Sequence, residues 1–283
     1  MVTPYDQDGI DFDLFARLID RQAEGHTDAI VVCATTGEAP VLSVSERSLL
    51  ISFAVRHAAG RMKVIAGIGG NDTERALVAA REAEILGADG VLLTAPYYNK
   101  ANAQGMCAHF TRVADGIGIP LIVYNVPGRT AVSLDETIYA RLAEHPRING
   151  VKEASGDISL VSRTIAVCGD EFTVWSGNDD QTFPMMALGA KGVISVASNL
   201  IPAEMAKMTH ACLEGDLISG GELHRHWVRL FSMLFIEVNP IPVKEALYLM
   251  GLDHGIYRPP LCSMESSHQE ALLNCLREYK LIA

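Results

Sequence analysis

Lys152 closes the apolar run Ile148-Asn149-Gly150-Val151-Lys152-Glu153-Ala154-Ser155-Gly156, which reads as a buried strand turning into a Ser/Gly loop. Lysine is rarely buried without a partner, so one at the end of a core strand needs an explanation. Two explanations are open: a buried stem with its ammonium snorkelling into water, or a desolvated amine able to attack a carbonyl as a Schiff-base nucleophile. The chain has only seven lysines, and the other six fall in segments that read as loops, helices or the tail. Further chemistry-bearing residues follow short apolar runs in the same manner. They are Cys33-Ala34-Thr35-Thr36-Gly37-Glu38, Pro96-Tyr97-Tyr98-Asn99, Tyr124-Asn125-Val126-Pro127-Gly128-Arg129-Thr130, Ser176-Gly177-Asn178-Asp179 and Gly192-Val193-Ile194-Ser195-Val196. A Thr-Thr-Gly turn presents N–H donors to a carboxylate. A tyrosine hydroxyl facing the lysine can carry protons in both directions, and Arg129 can hold a second carboxylate by a two-point contact. Each also has a plain role: a cap and turn for Thr35-Thr36-Gly37, core or interface aromatics for Tyr97-Tyr98, an ordinary Pro-Gly turn before Arg129. Taken together they point to class I aldolase-type carbon–carbon bond chemistry through an imine, with no metal and no organic cofactor. No paired carboxylate for glycoside chemistry and no histidine cluster for a metal accompanies them.

The elements that must position these residues alternate along the chain. Nearly continuous apolar runs predict strands over Ala29–Cys33, Val64–Gly67, Gly90–Thr94, Leu121–Asn125, Asn149–Lys152, Phe172–Ser176 and Gly192–Val196, each buried on both faces as in a parallel sheet. Amphipathic stretches between them predict helices over Asp11–Ala23, Val44–His57, Thr73–Leu86, Ala103–Ala114, Leu134–Ala143, Ile158–Cys168 and Gln181–Leu188. Seven such strands within about 200 residues fit an α/β (β/α)8 TIM barrel, whose chemistry sits on the loops after the strands. Only Met1-Val2 precedes the Thr3-Pro4 turn, so the first strand is expected to be missing or a stub. Beyond about Gly215 the strand signal stops, and Gly221–Ile236, Pro242–Met250 and Ser267–Lys280 read as a C-terminal helical appendage. The expected organisation is a catalytic barrel over 1–215 and a helical domain over 216–283. Gly67-Ile68-Gly69-Gly70 has the wrong spacing for a dinucleotide loop, and no phosphate-binding GxxxxGK occurs.

The bulk properties agree with a small-molecule enzyme. A net charge of −11 argues against nucleic acid or an anionic membrane as partner. Six widely spaced cysteines without a CxxC pair suggest reduced thiols in a cytoplasmic protein. No apolar run approaches the ~20 residues of a membrane span.

With Thr35-Thr36-Gly37-Glu38, Pro96-Tyr97-Tyr98-Asn99, Tyr124–Thr130 and Gly150-Val151-Lys152-Glu153-Ala154, the chain resembles the dihydrodipicolinate synthase / N-acetylneuraminate lyase family, from Thr3-Pro4 through Asn239-Pro240-Ile241-Pro242-Val243-Lys244. Arg129 and the double threonine resemble the synthase branch more than the sugar-acid aldolases. The resemblance implies that Lys152 forms the imine with pyruvate, that Thr35 and Thr36 bind the pyruvate carboxylate, and that Tyr124 is the central proton donor and acceptor. It implies that Thr35 links Tyr124 to Tyr98 lent by a neighbouring subunit of a tight dimer, two such dimers pairing into a homotetramer. Arg129 would receive the carboxylate of L-aspartate 4-semialdehyde, and the Gly177 and Ile194 carbonyls would orient substrate and lysine. Ala34 departs from the usual glycine before the double threonine. Two other functions remain open: imine chemistry on a 2-keto-3-deoxy sugar acid or other 2-oxo acid, and a catalytically silent binder.

Overall fold

In a computed structural model, which describes all of residues 1–283, the chain alternates helix and strand up to residue 176 and is helical thereafter. The elements run α1 (Phe12–Glu24), β1 (Ala29–Val32), α2 (Val44–Ala58), β2 (Lys63–Gly67), α3 (Thr73–Ile85), β3 (Gly90–Thr94), α4 (Ala103–Asp115), β4 (Leu121–Asn125) and α5 (Pro127–Thr130). They continue with α6 (Glu136–Ala143), β5 (Ile148–Glu153), α7 (Ile158–Cys168), β6 (Thr173–Ser176), α8 (Thr182–Ala187), α9 (Pro202–Leu213), α10 (Leu217–Met233), α11 (Ile241–Leu249) and α12 (Ser266–Glu278).

The six strands form one parallel sheet in chain order, β1-β2-β3-β4-β5-β6. Because successive side chains alternate across a strand, each contributes to two different interiors. Ile30, Val32, Val64, Ala66, Val91, Leu93, Leu121, Val123, Val151 and Val174 face the helices in a core of 43 buried residues. The alternate positions Val31, Ile65, Leu92, Ile122, Tyr124 and Trp175 meet one another in a separate small cluster. Residues from β1 and β6 can share that cluster only if the sheet curls round on itself. This inner face is where the chemistry-bearing side chains point.

The predicted strand over Gly192–Val196 is reduced to one parallel bridge, Ser176 to Val193. The cause lies in the next turn: the buried Asp179 carboxylate accepts from the N–H groups of Val196 and Ala197 at 3.0 and 2.9 Å, drawing the chain into a short helical turn over Ala197–Asn199. At the other edge of the sheet, the Met1 amino group donates to the Val31 carbonyl at 2.7 Å, and the Val2 N–H donates to Asn199 Oδ1 at 3.1 Å. The seam between β1 and residue 193 is therefore joined by individual contacts, not by a strand ladder.

The C-terminal helices share a second core of 21 buried residues with Leu14 and Leu18 of α1 and with Met205 and Met208 of α9, a helix the apolar pattern had not shown. Two lysines also differ from expectation: Lys63 opens β2, and Lys244 on α11 is more deeply buried than Lys152.

Candidate active site

β4 and β5 are neighbours in the sheet, in a register that pairs Tyr124 with Lys152 and Asn125 with Glu153. The first pair faces inward, the second outward. Lys152 is 8 % exposed and Tyr124 5 %, and the Lys152 Nζ lies 4.3 Å from the centroid of the Tyr124 ring. A cavity of about 360 Å³ opens onto both, lined also by Thr35, Thr36, Arg129, Gly177, Ile194 and Asn239. The cavity runs along the inner face from Asp28 and Lys63 at the strand starts, and the residues named here line its end at the strand C-termini. Lys152 thus sits under a phenol and against a cavity, not snorkelling from a strand end.

The turn after β1 carries strain. Cys33 and Glu38 bracket it with φ of 55° and 56°, left-handed values that non-glycine residues adopt only when their surroundings hold them there. Glu38 is held by Lys244, whose Nζ lies 2.7 Å from Glu38 Oε1 with both side chains 0 % exposed. Lys244 also donates to the carbonyls of Thr3 at 3.2 Å and Ile256 at 2.6 Å, so all three ammonium hydrogens are used. The strain falls on Cys33 and Glu38, while Ala34, at the position where a glycine was expected, needs no special conformation. Burial pushes the Cys33 thiol up to about 12, which removes it as a nucleophile near neutrality.

Asn239, from the segment before α11, links the turn after β1 to the Arg129 turn after β4. Its Nδ2 donates to Thr36 Oγ1 at 3.0 Å, and its carbonyl accepts from Arg129 Nη2 at 3.0 Å. Arg129 itself lies at the solvent-exposed rim. The floor is set by close approach. A Cβ on Gly177 would meet Lys152 Cε at 3.1 Å and Ala154 Cβ at 2.6 Å, so only glycine leaves the lysine room to move. The Gly177 N–H donates to the Glu153 carbonyl at 2.7 Å, and the Ile194 N–H to the Ser176 carbonyl at 2.9 Å. Burial raises the Asp179 carboxyl above its ordinary range, opposed by its backbone donors and by the nearby Lys152 charge.

The structure thus brings together Lys152, Tyr124, Thr35, Thr36, Arg129, Gly177 and Ile194 around one cavity. Tyr98 is not among them: it is 90 % exposed, with a left-handed φ of 67°. In the sequence Asn239 and Lys244 stand in the Asn-Pro-Ile-Pro-Val-Lys motif with nothing to signal their roles. Their partners Thr36 and Glu38 stand more than 200 positions away. No group of three His, Cys, Asp or Glu side chains converges in a way that could hold a metal ion.

The model of the dihydrodipicolinate synthetase family matches residues 1–279 of the chain. The 4-hydroxy-tetrahydrodipicolinate synthase of Geobacter metallireducens is 44 % identical over 282 residues, an alignment covering 100 % of this chain and 97 % of the relative. The crystal structure of dihydrodipicolinate synthase from Aquifex aeolicus superposes with a TM-score of 0.97 at 42 % identity, covering 99 % of this chain and 96 % of that one. The chloride-inhibited dihydrodipicolinate synthase from Acinetobacter baumannii, solved in complex with pyruvate, gives a TM-score of 0.98 at 38 % identity, with 100 % and 97 % covered.

Proposed function

Since the chain belongs to the dihydrodipicolinate synthetase family, we propose that the cavity above Lys152 is where it condenses pyruvate with L-aspartate 4-semialdehyde, in lysine biosynthesis. The observation that carries this reading is the buried Lys152 amine 4.3 Å from the Tyr124 ring, at the ends of adjacent strands. In its unprotonated form Lys152 attacks the pyruvate carbonyl. Water leaves as the imine forms, with the Tyr124 hydroxyl relaying the protons. Thr35 and Thr36 hold the pyruvate carboxylate through their turn. Loss of a methyl proton gives the enamine, whose carbon adds to the aldehyde. The amino group of the semialdehyde then attacks the imine carbon and displaces Lys152, closing the ring of 4-hydroxy-tetrahydrodipicolinate. One water is released overall, and the lysine supplies the electron sink without metal or organic cofactor. Arg129 at the rim receives the semialdehyde carboxylate, and the Gly177 and Ile194 backbones orient the lysine and its adduct.

The same reading treats the curled sheet as a (β/α)8 barrel in which residues 1–2 and 192–194 stand at the first and last strand positions. It makes 1–215 the catalytic barrel and 216–283 the helical appendage. Tyr98, exposed on one chain, would complete a partner's site across a two-fold axis, with two dimers forming a homotetramer in the cytoplasm. No helix is long and apolar enough to cross a membrane.

Incubation with pyruvate followed by borohydride tests the central step. One adduct per chain is expected, mapping to Lys152 by mass spectrometry and absent from Lys152→Ala. An adduct on Lys191 or Lys244 would overturn the assignment.

A further inference from the structure

Glu153 follows Lys152 directly, yet it points the other way, into the wall between sheet and helices, and is 3 % exposed. Its carboxylate is surrounded by donors. The Tyr139 hydroxyl donates to Oε2 at 2.6 Å, the Ser155 N–H donates to Oε1 at 2.7 Å, and Asn125 Nδ2 is shared between both oxygens at 3.1 Å. Every one of these bonds runs towards the carboxylate, and every member of the set is satisfied. Tyr139 is fully buried, and burial together with the neighbouring Glu153 charge raises its phenol well above the ordinary value, so it stays a donor.

The network reaches each part of the imine site through one covalent or hydrogen-bonded step. Asn125 precedes the turn carrying Arg129, and its Oδ1 accepts from the Leu134 N–H at 3.2 Å where that turn returns. The Asn125 carbonyl accepts from the Ala154 N–H at 2.9 Å, which fixes β4 against β5 at the level of Tyr124 and Lys152. The Glu153 carbonyl receives the Gly177 N–H at 2.7 Å, placing the glycine that floors Lys152. On the far side Tyr139 anchors the set to α6.

We infer that Glu153, with Asn125 and Tyr139, is a positioning device on the reverse side of the catalytic wall. It touches no substrate and sets the mutual placement of Lys152, Tyr124, Gly177 and the Arg129 turn. The inference deepens the imine reading above and depends on it. Its signature is a loss confined to turnover by chains that still form the imine.

The test combines active-site titration with kinetics. Pyruvate and borohydride count the chains with a trappable Lys152, and kcat is expressed per trapped site. Glu153→Gln keeps the size of the side chain but makes an N–H₂ group face donors. It is expected to remain trappable while kcat per trapped site falls about ten- to a hundredfold, the scale of a small misplacement of reacting groups. Asn125→Asp combined with Glu153→Gln exchanges the charge and the amide, restoring donor–acceptor pairing, and should recover most of that loss. Should Glu153→Gln not fold, Tyr139→Phe removes a single donor and should show the same pattern at smaller amplitude. An unchanged kcat per trapped site in a folded variant, with only the trappable fraction reduced, would make the network purely structural and overturn the inference. Failure of the wild-type protein to form any Lys152 adduct would instead remove the imine reading itself.

Discussion

Arg129 shows how much depends on a single side chain. It lies at the cavity rim with one guanidinium nitrogen spent on the Asn239 carbonyl, leaving the rest of its fork free for an incoming carboxylate. Arg129→Ala should lower kcat/KM for the semialdehyde by about ten- to a hundredfold, the effect of losing a charge-assisted contact of about 1.5–3 kcal/mol, while leaving pyruvate trapping intact. Steady-state kinetics with each substrate varied in turn would read this. Equal damage to both substrates would mean that Arg129 mainly holds Asn239. Lys152 was legible at this scale because a lysine closing an apolar strand breaks a strong compositional rule. Asn239 was not, because an asparagine before a proline looks like any turn until the chain folds it onto Thr36.

At the scale of elements, α2 begins with a capping box in which the Ser43 N–H donates to Glu46 Oε2 at 2.8 Å and the Glu46 N–H donates to Ser43 Oγ at 3.2 Å. Glu46 also takes a two-point contact from Arg258, one arm at 2.9 Å, and that contact lowers its carboxyl to about 2. A carboxylate held below its unfolded value stabilises the fold above about pH 4.5, and the gain disappears as pH falls through about 2. With these side chains about a quarter exposed, solvent screening leaves an effect on the order of 1–2 kcal/mol. Arg258→Ala should therefore be less stable than wild type at neutral pH, with the gap closing towards pH 2. Denaturant titrations across that range would show it, and a gap independent of pH would exclude the ion pair as its source. Most elements were legible because buried parallel strands are continuous apolar runs, and Gly90–Thr94 and Leu121–Asn125 agree end to end. The exceptions have physical causes. Helix α10 starts at Leu217, ahead of the expected Gly221, because the Asp216 carboxylate caps it by accepting from the Ser219 N–H at 3.0 Å, and Gly220 within it serves close packing: a Cβ there would strike Cys212 Sγ of α9 at 2.3 Å. In the sequence the glycine pair places the start of this helix at Gly221.

For the whole molecule, the exposed Tyr98 makes a testable claim about assembly. If a neighbour's Tyr98 completes the site, Tyr98→Phe and Lys152→Ala chains, each poorly active alone, should regain activity when mixed under conditions of subunit exchange. Hybrids would then contain sites with an intact lysine and a borrowed tyrosine. Exchange without recovery would place Tyr98 outside the chemistry. The Lys244–Glu38 pair, finally, bears on how small this catalyst can be made. Every side chain assigned to the reaction lies before residue 200, so excising the helices after residue 215 looks harmless on paper. Excision would open to water the Leu14, Leu18, Met205 and Met208 side chains that share the second core, and even the loss of Lys244 alone, with the helices in place, would leave Glu38 as a buried carboxylate without its counter-charge, at a cost of about 3–5 kcal/mol. That approaches the entire margin by which a typical domain stays folded. Residues 1–215 are therefore not a detachable module: any shortened version must keep α11 and a cover for the apolar faces of α1 and α9.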